Sequence, residues 1–295
     1  MNRHEQDSAR KKATGRALPC VALTIAGSDS GGGAGIQADL KTFAALGAYG
    51  TSALTAITAQ NPQGIRMVQG LEPSLVAEQV RAVFDYFRVG AVKTGMLVSR
   101  PVVLAVADAL REAFAQAVQA GNPRPFLVVD PVLASTSGTA LLAGSGVGVL
   151  CQHLLPQASC ITPNLAEAAL LAERDVSAAE HMEPAARALY ERFGVPVLIK
   201  GGHLPGGEPA RDCLVEGKQV HWFASERVEG VNGHGTGCTL SAALAVYLMA
   251  GLALPRAVAA ARAFLLRAYR AGVDVGRERA IHHAFAMPLA PVYGD

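Results

Sequence analysis

The chain has 295 residues, 51% hydrophobic and 17% charged, with a net charge of +2, and so carries enough apolar material for a substantial core in one large or two small domains. So small a charge, a single tryptophan and no run approaching about 18 uninterrupted apolar residues exclude nucleic acid and membrane as expected partners and favour small-molecule chemistry. The five cysteines, Cys20, Cys151, Cys160, Cys213 and Cys238, are odd in number and lack C-x-x-C spacing, which argues against a disulfide framework or zinc site and for a cytoplasmic protein.

The first residues carry Arg3, Arg10, Lys11, Lys12 and Arg16 without an apolar stretch, so they do not read as a secretory signal. Residues 1–19 are expected to be a disordered basic tail, and 20–295 a single domain, since no Gly-, Pro- or Ser-rich linker divides them. From Cys20 onward, short β-branched runs alternate with longer Ala/Leu-rich amphipathic runs, the pattern of a parallel sheet covered by helices. The predicted strands are Val21–Ala26, Ser52–Ala59, Ala91–Thr94, Phe126–Val129, Cys160–Thr162 and Pro196–Lys200. The helices predicted with them are Gly35–Leu46, Pro73–Phe87, Pro101–Gln119, Asn164–Leu171 and Ala178–Phe193. A hairpin, Arg211–Val215 with Gln219–Phe223, follows, and helices Thr239–Met249 and Pro255–Tyr269 close the chain.

Ligands of such sheets bind beyond the carboxyl ends of the strands, and that is where the chemically capable residues fall. After the first strand, Gly27 to Gly35 holds five glycines in nine positions, more than a flexible turn requires and suited to close backbone approach to a ligand. Gln60 and Asn61 follow the second strand; their amides both donate and accept, as the edge of a heterocycle demands, although loop polarity alone also explains such a pair. Asp130 follows the strand ending at Val129, and Asn164 with Glu167 follows Thr162. Hard oxygen donors of this kind suit Mg²⁺ through water, while Asn164 and Glu167 equally fit a helix capping box. Lys200 ends its strand, either as a cation over phosphates or as a lysine reaching for water. Gly235-Thr236-Gly237-Cys238 then opens a helix. Its free N–H groups and dipole make an anion site, and a thiol there is expected to lose its proton more easily. The same residues also read as a plain turn with a small buried cysteine.

Taken together, the segments Leu23–Asp29, Gly33–Lys41, Lys93–Leu97, Asp130–Val132, Thr162–Leu165, Lys200–His203 and His234–Thr239 resemble the motifs of the hydroxymethylpyrimidine/phosphomethylpyrimidine kinases of thiamine biosynthesis. The resemblance runs from about Ala22 to the last helix, with Gly-Ile-Gln-Ala-Asp-Leu-Lys and Cys238 as its most specific parts. It implies a ribokinase-like three-layer αβα sandwich with a mostly parallel central sheet, ATP and Mg²⁺ as cofactors, and a homodimer. It further implies a substrate pocket of Gly27, Asp39, Gln60, Met96, Val132 and Cys238, with Gln60 on the aminopyrimidine edge. Gly235 to Cys238 would hold phosphate and Cys238 would take the hydroxyl proton. Asn164, Lys200, Thr236 and Gly237 would meet the nucleotide, and Asp130 and Glu167 the metal. The chain departs from the pattern at Thr139, where an aspartate is expected, and at Leu133, where methionine is usual. A pyridoxal kinase of the same fold and a non-catalytic metabolite sensor are the competing readings.

Overall fold

The computed structural model describes residues 20–134, 141–142, 144–202 and 210–286; the basic tail, Thr139 and His203 lie outside the described residues. An eight-stranded sheet has the order β10-β9-β8-β7-β6-β5-β1-β2. Its strands are β1 (Val21–Ala26), β2 (Tyr49–Leu54), β5 (Val89–Thr94), β6 (Phe126–Val129), β7 (Cys160–Ile161), β8 (Val197–Gly201), β9 (Ala210–Glu216) and β10 (Gln219–Ser225). From β2 through β8 every pairing is parallel, and β9 and β10 are added antiparallel. All six residues of β5 are buried, as expected of a parallel strand covered on both faces.

Each face has its own core. On one side α2 (Pro73–Tyr86), α3 (Arg100–Gln119), α5 (Leu165–Ala172) and α6 (Ala179–Phe193) pack on Val92, Leu127, Val129, Ile161 and Ile199. On the other, α1 (Gly35–Ala45), α7 (Thr236–Met249) and α8 (Leu254–Arg270) pack on Ala22, Ala91, Val128, Cys160, Leu198 and Leu214. The two residue sets alternate along the strands, so the period of two in side-chain direction produces the three layers. Proline in the first turn starts α2, α3 and α8, where its missing N–H costs nothing. Helix α7 is apolar all round, with ten of its fourteen residues buried, because it is wedged between the sheet and α8.

Three parts depart from expectation. The predicted strand Ser52–Ala59 breaks at Thr55 into β2 and β3 (Ala56–Asn61), and β3 leaves the sheet to pair antiparallel with the unpredicted β4 (Gly64–Gly70). The break is made by Thr55, whose hydroxyl donates to the Met96 carbonyl at 2.6 Å and whose N–H donates to Ala26. Gln60 and Asn61 therefore end the first strand of a flap rather than lying in a loop. Between β6 and β7 a short helix α4 (Gly144–Val149) runs into a π turn, Leu150–Leu154, and a 3₁₀ turn, Leu155–Gln157; its three glycines and two valines give no helical period. After α8 a two-residue ladder, β11 (Val273–Asp274) with β12 (Arg279–Ala280), precedes the last described residues.

Candidate active site

The strand order reverses between β1 and β5, and the crevice beyond their carboxyl ends opens a cleft of about 1120 Å³. Loops after β1, β5, β6, β7 and β8, the flap and the first turn of α7 all contribute to its lining. Gly27, Gln60, Met96, Asp130, Val132, Asn164, Glu167, Lys200, Gly235, Thr236, Gly237 and Cys238 all line it. Asp39 is the exception among the candidate residues: it is fully buried and lies one layer behind the wall.

Gly235 caps α7 with φ 84°, the left-handed region, and a Cβ there would strike the Gly33 carbonyl. Gly35, at φ 56°, would likewise strike the Gly27 carbonyl. Both positions need glycine because loop 27–35 and the 235 turn meet backbone to backbone. That approach aims the Gly35 N–H at the Cys238 sulfur. The turn is closed by Thr236, whose hydroxyl donates to the Gly233 carbonyl at 2.9 Å. The expectation of an easily ionised thiol is corrected here: burial pushes Cys238 above its ordinary range, and the favourable field of Lys93 and the Gly35 N–H do not offset it, while Asp39 and Asp130 add to the rise.

Two lysine–carboxylate pairs lie under this turn. Lys93 on β5 donates to Asp39 Oδ2 at 2.8 Å, both side chains being 0% exposed, and Thr24 donates to the same oxygen at 2.6 Å. Asp39 Oδ1 has no partner. Burial pushes the Asp39 carboxyl up against the opposing pull of Lys93. Lys93 is itself held well above the ordinary lysine range: desolvation opposes its charge, and Asp39 chiefly, then Cys238 and Asp130, outweigh that. Nearer the nucleotide side, Lys200 donates to Asp130 Oδ1 at 2.6 Å and Ser241 to Asp130 Oδ2 at 3.1 Å. The Lys200 ammonium sits 3.1 Å from where a Gly237 Cβ would be, so this glycine leaves the cation room over the helix terminus. Desolvation works against the Lys200 charge, but Asp130 and Glu167 keep its pKa raised. Its side chain is 13% exposed, which rules out a lysine merely reaching for bulk water.

Asn164 and Glu167 form the capping box of α5: Asn164 Oδ1 accepts from the Glu167 N–H at 2.9 Å, and Glu167 Oε2 accepts from the Asn164 N–H at 2.8 Å. Burial pushes Glu167 up to about 7, with Lys200 opposing and Asp130 adding. Among the described residues no three His, Cys, Asp or Glu side chains gather as a direct metal site. Both oxygens of Asp130 already accept hydrogen bonds, and one of Glu167 does. The donor set therefore fits a divalent cation held through water and the phosphates of a ligand, as hard Mg²⁺ commonly is.

Two constellations were not selected from sequence. Asp29 accepts from Gly31, Gly33 and Ala34 N–H groups at 2.8, 3.1 and 2.8 Å and meets His234 Nε2 at 2.9 Å. Desolvation raises its pKa, yet these bonds together lower it. With Nε2–H given to Asp29, His234 cannot also accept from the Gln60 amide 3.4 Å away, so Gln60 is left to face the cleft. On the far side Asp212 Oδ1 accepts from the Gly201 N–H at 2.9 Å, and its other oxygen pairs with Arg262 of α8. Arg262 also donates to Ala210 and Ser225. Asp29 and His234 belonged to the quoted motifs, but no local signal announces a contact across 205 residues.

The family described as phosphomethylpyrimidine kinase matches residues 29–283. The hydroxymethylpyrimidine/phosphomethylpyrimidine kinase of Rhizobium meliloti is 47% identical over 270 residues, 90% of this chain and 97% of that one. In some thiamine-biosynthesis relatives the matching unit is about half of a longer chain. A crystal structure of phosphomethylpyrimidine kinase from Clostridium difficile superimposes with TM-score 0.72 at 38% identity, covering 84% of this chain and 98% of that one. Pyridoxal kinase from Staphylococcus aureus in complex with AMP-PCP gives TM-score 0.80 at 30% identity, covering 93% and 96%.

Proposed function

The chain belongs to the phosphomethylpyrimidine kinase family, and from that premise we propose how its own residues carry out phosphoryl transfer. It is an ATP-dependent, ribokinase-like kinase of thiamine biosynthesis that phosphorylates 4-amino-5-hydroxymethyl-2-methylpyrimidine and then its monophosphate. The observation that carries the residue assignment is the placement of Cys238 on the first turn of α7, under the Gly35 N–H and near the fully buried Lys93 and the partly buried Lys200. Phosphoryl transfer depends chiefly on positioning and charge stabilisation. In this reading the N–H groups of Gly235 to Cys238 hold the transferring phosphoryl group, and Lys200 neutralises its growing charge. Asn164 and Thr236 flank the nucleotide phosphates. Cys238, as its thiolate, accepts the proton of the attacking hydroxyl, and Lys93 supplies the nearby positive charge that favours that form. Gly27, Met96 and Val132 shape the pyrimidine compartment, and Gln60 reads the ring edge. Asp39 acts from behind the wall by holding Lys93. Asp130, Glu167 and Asn164 would hold Mg²⁺ through water; bound there, the ion would screen the phosphate oxygens.

A cytoplasmic location is proposed, supported by the five free cysteines. A homodimer is proposed on the outward face of the flap, where Ile57 and Met67 are exposed on one side of the ribbon; among the described residues no helix is long and apolar enough to cross a membrane. The test is mass spectrometry of products after incubation with Mg-ATP and, separately, hydroxymethylpyrimidine, its monophosphate and pyridoxal. Diphosphate from the first two supports the assignment, and pyridoxal phosphate as the main product refutes it. Cys238→Ala should abolish turnover and keep ATP affinity; a sensor protein would form no product even before the substitution.

A further inference from the structure

Among the described residues, those beyond α8 do not line the cleft, yet they brace the catalytic turn from both ends. Upstream of the turn, the Asn232 N–H donates to the Arg279 carbonyl at 2.8 Å and its Nδ2 to Glu278 Oε2 at 2.6 Å, while its Oδ1 accepts from the His234 N–H at 2.8 Å. Downstream, His283 Nε2 lies 2.9 Å from the Thr239 hydroxyl oxygen. Thr239 directly follows Cys238, and its hydroxyl and its N–H both donate to the Gly235 carbonyl, each at 2.9 Å. The single hydroxyl proton is thus spent on Gly235, so the imidazole must be the donor through Nε2–H and the Thr239 oxygen its acceptor.

The result is a continuous relay, His283 Nε2–H to Thr239 Oγ1–H to the Gly235 carbonyl, ending on the residue whose left-handed conformation aims the first N–H groups of α7. The histidine is anchored well enough to exert that hold. It is 5% exposed and flanked by Ile281 at 7%. The His282 N–H donates to the Ala268 carbonyl of α8 at 3.1 Å. Phe285 packs 5.4 Å from Phe264, with Arg267 4.7 Å over its ring. Burial of this imidazole beside a single hydroxyl, without a carboxylate, suits a fixed neutral donor rather than a proton shuttle.

We propose that His283 is a positioning residue for phosphoryl transfer: through Thr239 it locks the Gly235 carbonyl and so fixes the N–H groups and the thiol of the catalytic turn. The inference rests on the reading of Gly235 to Cys238 as that turn. A misplacement of about 1 Å in such a site costs about 10²-fold in rate. Since removal of His283 leaves the Thr239–Gly235 bond in place, a loss of about 10-fold to 10²-fold in kcat is expected.

The experiment is steady-state kinetics on the full chain with Mg-ATP and hydroxymethylpyrimidine, alongside thermal unfolding. His283→Leu and Thr239→Val should each lower kcat by at least about tenfold with KM for ATP within about threefold. His283→Gln, which returns a donor near the Nε2 position, and Thr239→Ser should recover most of it. The double variant Thr239→Val/His283→Leu should be no worse than the worse single. A merely structural histidine would lower the Tm but leave kcat per folded molecule unchanged, and that result would overturn the proposal, as would equal losses in the Leu and Gln variants. Cys238→Ala is measured in parallel. If it loses turnover while His283→Leu and Thr239→Val do not, the relay alone falls; if it keeps turnover, the catalytic turn and the relay fall together.

Discussion

Replacing Lys93 by methionine tests the electrostatics beneath the substrate compartment. The Lys93 ammonium and the Asp39 carboxylate are both fully buried and 2.8 Å apart, and among the described residues the only other hydrogen bond to that carboxylate comes from Thr24. A methionine of similar volume removes the charge without opening a large void, so the loss measures what the pair does for the carboxylate left behind. Breaking a buried pair from one side costs about 3–5 kcal/mol, which in a domain of this size lowers the Tm by about 6–20 °C. The cost should also depend on pH with a definite sign. Burial already raises the Asp39 pKa in spite of Lys93; without the lysine it rises further, and a carboxyl with a raised folded pKa stabilises the fold at low pH and loses that contribution as pH rises through it. Lys93→Met should therefore approach wild-type stability in acid and fall away toward neutrality. Adding Asp39→Asn removes the orphaned charge but keeps a partner for Thr24, so the double variant should lose less than the two singles together by about 2 kcal/mol. The assay is denaturant unfolding followed by circular dichroism at several pH values, with the fluorescence of Trp222, the only tryptophan, as a second probe. Additive losses, or a Lys93→Met cost under about 1 kcal/mol at neutral pH, would refute the reasoning.

Three further outcomes follow from the cleft. Lys200→Met should lower kcat by about 10²-fold or more, because it removes a preorganised cation from the phosphate side; a loss under about tenfold in an ADP-release assay would remove Lys200 from that role. Glu167 is pushed by burial from its ordinary 4.5 to about 7, so the folded protein binds its proton more tightly and stability declines as pH rises from about 4.5 through about 7, by on the order of 3 kcal/mol. Glu167→Gln, which preserves the capping box, should flatten that interval in unfolding curves recorded across it, and an unchanged slope contradicts the assignment. Burial also raises the Cys238 thiol above its ordinary 9.0, so kcat/KM for the first transfer should keep climbing past that pH if the thiolate is the base. A plateau near neutrality would exclude it.

Most of the layered fold was legible because the periodicity of strands and helices is local. β1, β6 and the hairpin lie where the alternation put them, and the Gly-Thr-Gly-Cys turn opens its helix as its glycines and free N–H groups demand. The candidate residues also fall together in one cleft because a parallel sheet gathers its strand ends at one edge. What stayed hidden depends on partners distant in the chain. The flap exists because Thr55 is tied to Met96 and Ala26, bonds with no signature in the run Ser52–Ala59. The helix terminus pointed to an acidified thiol, but its ionisation is set by desolvation and by the surrounding charges, and burial prevails. The chain by itself determined the elements, their order and the chemical types at the strand ends. Only the tertiary structure decided which carboxylate meets which lysine, that Asp39 stands behind the wall, and that His234 and His283 converge on one turn, because dielectric environment and cross-chain hydrogen bonds are properties of packing and not of residue spacing.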